Sequence, residues 1–176
     1  VTRVVSAREM RDAVLAAAGG ADVVVMAAAV ADYRPASRSP GKIKKDGRPP
    51  EPIALTENPD ILAGLGSARN AQDRTPLQDP DAERGRLASS SSPRQVLVGF
   101  AAETDTSPAG ARAKLARKGC DLLVVNPVGA GLGFGTPDNE AVVYGSDGTV
   151  TPIPRGPKEA LADVVWDLVV TRLPQR

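Results

Sequence analysis

The chain of 176 residues and 18.2 kDa has the length of one domain, and 41 % hydrophobic residues supply one buried core. With 22 basic and 21 acidic residues the net charge of +1 makes no field to gather nucleic acid, and 3 % aromatics give no base-stacking platform. The absence of histidine excludes Ser-His-Asp and Cys-His catalysis, histidine-ligated zinc and the HExxH metalloproteases, so proton transfer falls to Lys, Asp, Glu, Tyr or water.

A single cysteine, Cys120, forms no internal disulfide and no multi-cysteine metal site, which suits a reducing cytoplasm; a metal here is expected to be magnesium on oxygen ligands. The longest apolar run, Val23 to Ala31, falls far short of the roughly 20 residues that span a bilayer, so a soluble protein with no membrane partner is expected. A start at Val1, with neither methionine nor a signal-like leader, is what a piece of a longer, non-exported chain would have.

Ser6 and Glu9 form a capping box, and Met10, Val14 and Ala17 recur at helical spacing until Gly19-Gly20. Ala21 to Val30 is apolar and β-branched in its first half, which predicts a strand buried on both faces of a parallel sheet. Ala31 to Pro50, rich in proline and basic side chains, reads as a long loop, and loops of that length inside a domain are usually functional or disordered. A short strand is expected over Glu51 to Leu55, then a helix capped by Asn58 that starts at Pro59 and runs through Leu65.

From Gly66 to Arg94 serine runs, charges and prolines leave almost no periodicity, which predicts a surface insertion or a disordered excursion. Gln95 to Ala101 resumes as a buried strand, Ser107-Pro108 opens a helix that closes at Gly119, and Asp121 to Val125 follows as a further strand. Glu140 to Tyr144 and Thr149 to Ile153 flank the turn-like Gly145-Ser146-Asp147-Gly148, and a last helix follows Gly156-Pro157 to about Arg172. The sum is an α/β, three-layer, Rossmann-like domain over residues 1–176, with a mostly parallel sheet plus an antiparallel hairpin.

In such sheets ligands bind at the carboxyl ends of the strands. The first candidate is therefore the run Met26 to Pro35, where small residues let a flat ligand approach the backbone. There Asp32 can accept hydrogen bonds from a sugar or amino group, or hold magnesium; it equally suits a turn. Lys42, Lys44 and Lys45 are three mobile cations on the long loop, suited to charge developing on phosphoryl oxygens, although the same pattern describes a solvated charge run. Asn58-Pro59-Asp60-Ile61 is a helix start whose N–H groups can receive an anion, and Lys114 and Lys118, four apart, share one helix face that suits a polyanion. Gly129 to Gly135 fails the spacing of a dinucleotide fingerprint and reads as a loop. Cys120 reads as a packed residue rather than a nucleophile.

Taken in order, AAAVADYRP at 27–35, KIKK at 42–45, NPDI at 58–61, VGFAAET at 98–104 and KGCDLLVVN at 118–126 resemble the phosphopantothenate-cysteine ligase family, and the likeness covers about residues 1 to 172. In bacteria this domain is usually the carboxyl-terminal half of a bifunctional coenzyme A biosynthesis protein whose other half is a flavin-dependent decarboxylase. The resemblance implies a cytoplasmic, homodimeric ligase that uses CTP with magnesium. The carboxylate of 4'-phosphopantothenate attacks the α-phosphate to give an acyl-cytidylate and pyrophosphate, and the amine of cysteine then displaces CMP. CTP rather than ATP is expected because the motifs resemble the bacterial version.

Carried over by position, Met26, Ala27 and Ala28 would border the cytidine and Asp32 would hydrogen-bond the nucleotide. Asn58, Pro59, Asp60 and Ile61 would form a neighbouring nucleotide loop, Phe100 would pack beside the nucleotide, and Lys114 and Lys118 would bind its polar groups. Lys42 would be the catalytic lysine and would also bind the nucleotide, on a flap closing over the reacting acyl-phosphate. The Ala31 to Leu55 region would be a dimer contact. The family also carries a first strand, a glycine-rich turn and a loop with an arginine and an asparagine ahead of the part matched here; a chain lacking them would be a nucleotide-binding or assembly module without catalysis.

Overall fold

Valine- and leucine-rich segments assemble into one five-stranded sheet, in the order Val23–Met26, Val96–Glu103, Leu122–Pro127, Asp138–Gly145, Val150–Pro157. The computed structural model describes residues 1–44, 52–74, 95–104, 106–129 and 135–174. Three strands run parallel: β1 (Val23–Met26), β4 (Val96–Glu103) and β5 (Leu122–Pro127). The antiparallel hairpin of β6 (Asp138–Gly145) and β7 (Val150–Pro157) then extends the sheet from β5. Its second arm carries Pro152, Pro154 and Pro157, which a sheet tolerates because β7 is an edge strand with one row of N–H groups unused.

Helices cover both faces. On one side α1 (Ala7–Ala18), α2 (Ile61–Arg74) and α3 (Pro108–Lys118) pack Ile61, Leu62, Leu65, Ala111 and Leu115 against Leu97, Ala101, Leu123 and Val125. On the other, α4 (Lys158–Val170) places Leu161, Val165 and Val169 on Val96, Val98, Leu122 and Val124. Alternation along β4 decides which side each residue serves, and the result is the three-layer α/β arrangement expected. The capping box of Ser6 and Glu9 is present at α1. The α3 helix ends at Gly119, whose φ of 62° is the left-handed conformation that glycine adopts without steric cost.

Four expectations need correction. The strand foreseen over Ala21 to Val30 is only β1, and it is not buried on both faces: Val25 is 40 % exposed because β1 pairs with β4 alone. The long loop contains β2 (Tyr33–Pro35), paired antiparallel with β3 (Leu55–Glu57) in a separate ribbon, and this pairing replaces the strand foreseen over Glu51 to Leu55.

The helix foreseen to end at Leu65 runs on to Arg74. Gly66 is not a break there but a contact point, since a Cβ on it would stand 2.4 Å from the Lys118 carbonyl oxygen. Arg69, one turn later, bonds Asp121 and the Gln95 and Gly119 carbonyls, so tertiary contacts hold a helix that has no apolar periodicity. Only residues 66–74 of the foreseen insertion are thereby reassigned; 75–94 lie outside the described residues, as do Lys45 and residues 130–134 of the glycine-rich loop.

Finally, Asn58 does not cap α2. Asp60 does, its Oδ1 accepting from Ala63 N at 3.1 Å while its carbonyl accepts from Gly64 N.

Candidate functional site

The carboxyl ends of β1 and β4 open into a cleft of about 320 Å³ between α2, α3 and the segment that follows β1. That segment leaves the sheet after Met26, and its alanines, lacking bulk, leave backbone and space for a flat group; Ala28, Ala29 and Ala31 all line the cleft. Asn58 ties it down. Its N–H donates to Asp32 O at 2.7 Å and its Nδ2 to Ala31 O at 2.8 Å, while its Oδ1 accepts from Arg34 Nη1 at 3.2 Å. Arg34 Nη1 also donates to the Glu57 carbonyl, so the β2–β3 ribbon and the start of α2 are fastened to the same corner.

Ten of the residues singled out in the sequence meet here: Met26, Ala28, Asp32, Asn58, Pro59, Asp60, Ile61, Phe100, Lys114 and Lys118. Phe100 does so while packed against the α4-side core. Ala27 is exposed beside Met26 but does not line the cleft, and Lys42 lies on an exposed segment outside the lining.

Leu62, Ala101, Ala102 and Leu123 also line the cleft, and sequence reasoning gave them no individual part. Ala101, Ala102 and Leu123 lie inside the quoted motifs at 98–104 and 118–126, and Leu62 directly follows the one at 58–61. Sequence reasoning likewise gave none to Arg34 and Glu103, although both sit inside quoted motifs. Polar residues at the ends of strands in those motifs would have found them.

The cleft holds two lysines and two carboxylates. Lys118 Nζ donates to Asp60 Oδ2 at 2.5 Å, and Lys114 Nζ donates to Glu103 Oε1 on the rim. Partial burial pushes the Asp60 carboxyl up, but the Lys118 hydrogen bond, the Ala63 amide and the charges of Lys118 and Arg117 outweigh it and hold the group below the usual carboxylate range. Asp60 is thus ionised at neutral pH, and the cleft presents fixed ammonium groups to an anion. Cys120 is buried, and burial pushes its thiol up to about 11, which agrees with a packing role.

Among the described residues no group of three or more His, Cys, Asp or Glu is arranged for a metal. Magnesium, however, commonly takes one or two carboxylates with phosphate oxygens and waters, so Asp32, at the cleft and exposed, fits an ion arriving on a triphosphate. Among the described residues no helix is long and apolar enough to cross a membrane.

The family model described as DNA/pantothenate metabolism flavoprotein C-terminal domain matches residues 1–76 and 79–173. The Coenzyme A biosynthesis bifunctional protein CoaBC of Mycobacterium bovis is 43 % identical over 177 residues, covering 98 % of this chain and 38 % of that protein. The protein of the same name from Escherichia coli K12 is 33 % identical over 98 % of this chain and 38 % of its own length. The chain therefore spans well under half of these relatives.

Among solved structures, the C-terminal domain of CoaBC superposes with a TM-score of 0.63 at 27 % identity, covering 97 % of this chain and 64 % of that one. A DNA/pantothenate metabolism flavoprotein from Streptococcus pneumoniae shares the fold, with a TM-score of 0.61 at 14 % identity over 97 % of this chain and 69 % of its own.

Proposed function

The chain belongs to the DNA/pantothenate metabolism flavoprotein C-terminal domain family, in keeping with its likeness to phosphopantothenate-cysteine ligase, and from this membership we propose that its cleft is the CTP site of that ligase in coenzyme A biosynthesis. The observation that supports the reading most is convergence: four separate motifs, at 26–32, 58–61, 100 and 114–118, contribute to one cleft at the carboxyl edge of the sheet.

In this reading the small residues after β1 and Phe100 seat the cytidine, while Lys114 and Lys118 meet polar and phosphate oxygens. A bare carboxylate resists attack by an amine, and transfer of the cytidylyl group onto it creates the needed leaving group. The 4'-phosphopantothenate carboxylate bonds to the α-phosphorus as pyrophosphate leaves; the cysteine amine then attacks the acyl carbon and CMP departs. Magnesium, held by Asp32 and the triphosphate, would supply charge neutralisation at the phosphoryl oxygens. Lys42 comes over the reacting centre when the part of the long loop beyond β2 closes, which keeps water from the anhydride. Active copies pair as dimers through the β2–β3 ribbon, whose Tyr33 and Leu55 are 57 % and 60 % exposed, and the decarboxylase belongs to the same longer chain or an associated one.

Mixing the protein with CTP, 4'-phosphopantothenate, cysteine and magnesium should release CMP and pyrophosphate in equal amounts. Lys42→Gln should slow turnover by about 2–4 kcal/mol, and an unchanged rate would remove Lys42 from the site. Binding of CTP without turnover in the full-length protein would favour a non-catalytic nucleotide module, and absence of CTP binding would refute both.

A further inference from the structure

Glu103 is the last residue of β4, and its backbone is tied to the end of β5. It stands in register with Pro127 of β5, and its carbonyl accepts from Val128 N at 3.0 Å. From this strand end the carboxylate reaches Lys114 on α3. Glu103 does not line the cleft, whereas Lys114 does.

One turn along α3, Lys118 is held by Asp60, whose other oxygen caps α2. Two lysines at this spacing repel each other, and each four-carbon stem has many rotamers to lose before its charge occupies one place. Here a carboxylate on a separate rigid element answers each lysine, so both ammonium groups stand at the cleft before a ligand arrives. An ammonium has three donors, and Glu103 uses one. Asp60 lies in the cleft and would face a ligand itself; Glu103 acts only through Lys114.

Building on the reading of the cleft as a CTP site, we propose that Glu103 is a positioning residue that holds the Lys114 ammonium for the nucleotide, so that the two side chains act as one unit in nucleotide affinity. The glutamate contributes direction, and the lysine makes the contact.

The test is calorimetric titration of this chain with CTP and magnesium in five variants beside the wild type. Lys114→Ala should weaken CTP binding about tenfold, the scale of one charge-assisted contact. Glu103→Ala should weaken it by about three- to fivefold, and Glu103→Gln, which keeps an acceptor at the same reach, should stay within about twofold. Glu103→Asp keeps the charge but withdraws it by one methylene, and should resemble Glu103→Ala. The double variant E103A/K114A should bind no more weakly than K114A.

Losses that multiply in the double variant, or E103D binding like the wild type, would overturn the proposal, because a merely structural glutamate would weaken binding whether or not Lys114 is present. If wild type binds CTP but K114A binds equally well, the pairing falls while the cleft reading stands. If wild type binds no CTP, the reading itself falls and takes the proposal with it.

Discussion

Arg69 provides the sharpest energetic test of how the fold holds the cleft. Its guanidinium and the Asp121 carboxylate are 8 % and 10 % exposed, so the pair is cut off from water. Arg69 Nη1 bonds Asp121 Oδ2 and the Gln95 carbonyl (2.8 Å), and Nη2 bonds the Gly119 carbonyl (2.7 Å), while Asp121 Oδ2 also accepts from Leu97 N at 2.8 Å. The group joins α2 to the starts of β4 and β5 and to the end of α3. Arg69→Ala would leave a buried carboxylate without its counter-charge, a loss of about 3–5 kcal/mol, out of a total stability of about 5–15 kcal/mol for a domain.

Replacing both partners by apolar residues, as in R69M/D121L, removes the charge problem but still strands the Leu97 amide and two carbonyls, at about 1 kcal/mol or more each. The double variant should be no less stable than R69M alone, with a coupling of about 2 kcal/mol between R69M and D121L. Urea unfolding followed by far-ultraviolet circular dichroism measures this directly. A cost below about 1 kcal/mol for R69A, or strictly additive single changes, would refute the account of the pair as a buried clamp.

Two further outcomes follow from the same coordinates. Gly66→Ala places a methyl 2.4 Å from the Lys118 carbonyl and 3.0 Å from that of Gly119, both backbone atoms, so α2 and α3 must separate. Helix propensity alone would stabilise by about 1 kcal/mol, but overpacking should give a net loss of about 1–3 kcal/mol in the same unfolding assay, and weaker CTP binding through Lys118. For acid sensitivity, Asp60 is held low as described, and Asp147 is held low by hydrogen bonds from the Thr149 hydroxyl and amide with help from the Arg172 charge. A carboxyl depressed in the folded state stabilises above its unfolded value of about 3.9, and this contribution disappears as pH falls through the lower folded value. Thermal melts from about pH 5 downward should thus fall more gently in the D60N/D147N variant than in the wild type.

Much of the candidate site was legible in the sequence because its parts are marked over a few consecutive residues. The NPDI and VGFAAET motifs, and two lysines four apart on a helix, each carry a recognisable chemistry on a few consecutive residues. The element types in the parallel core were legible for the same reason: Val96 to Ala101 and Leu122 to Val125 are apolar without interruption, and Ser107-Pro108 and Gly119 punctuate the helix between them.

What the linear order of residues determined was which side chains exist at strand ends and which short segments are strand, turn or helix, since propensity, capping and period are decided over a turn or two. The tertiary structure alone decided the rest. It extended α2 past Gly66, because that glycine meets a backbone oxygen and Arg69 meets an aspartate 52 positions away. It gave the helix cap to Asp60, because Asn58 was needed to fasten Ala31 and Asp32, and it set Glu103 against Lys114. These are contacts between distant parts of the chain, whose energies depend on distance in space, a quantity that spacing along the sequence does not encode.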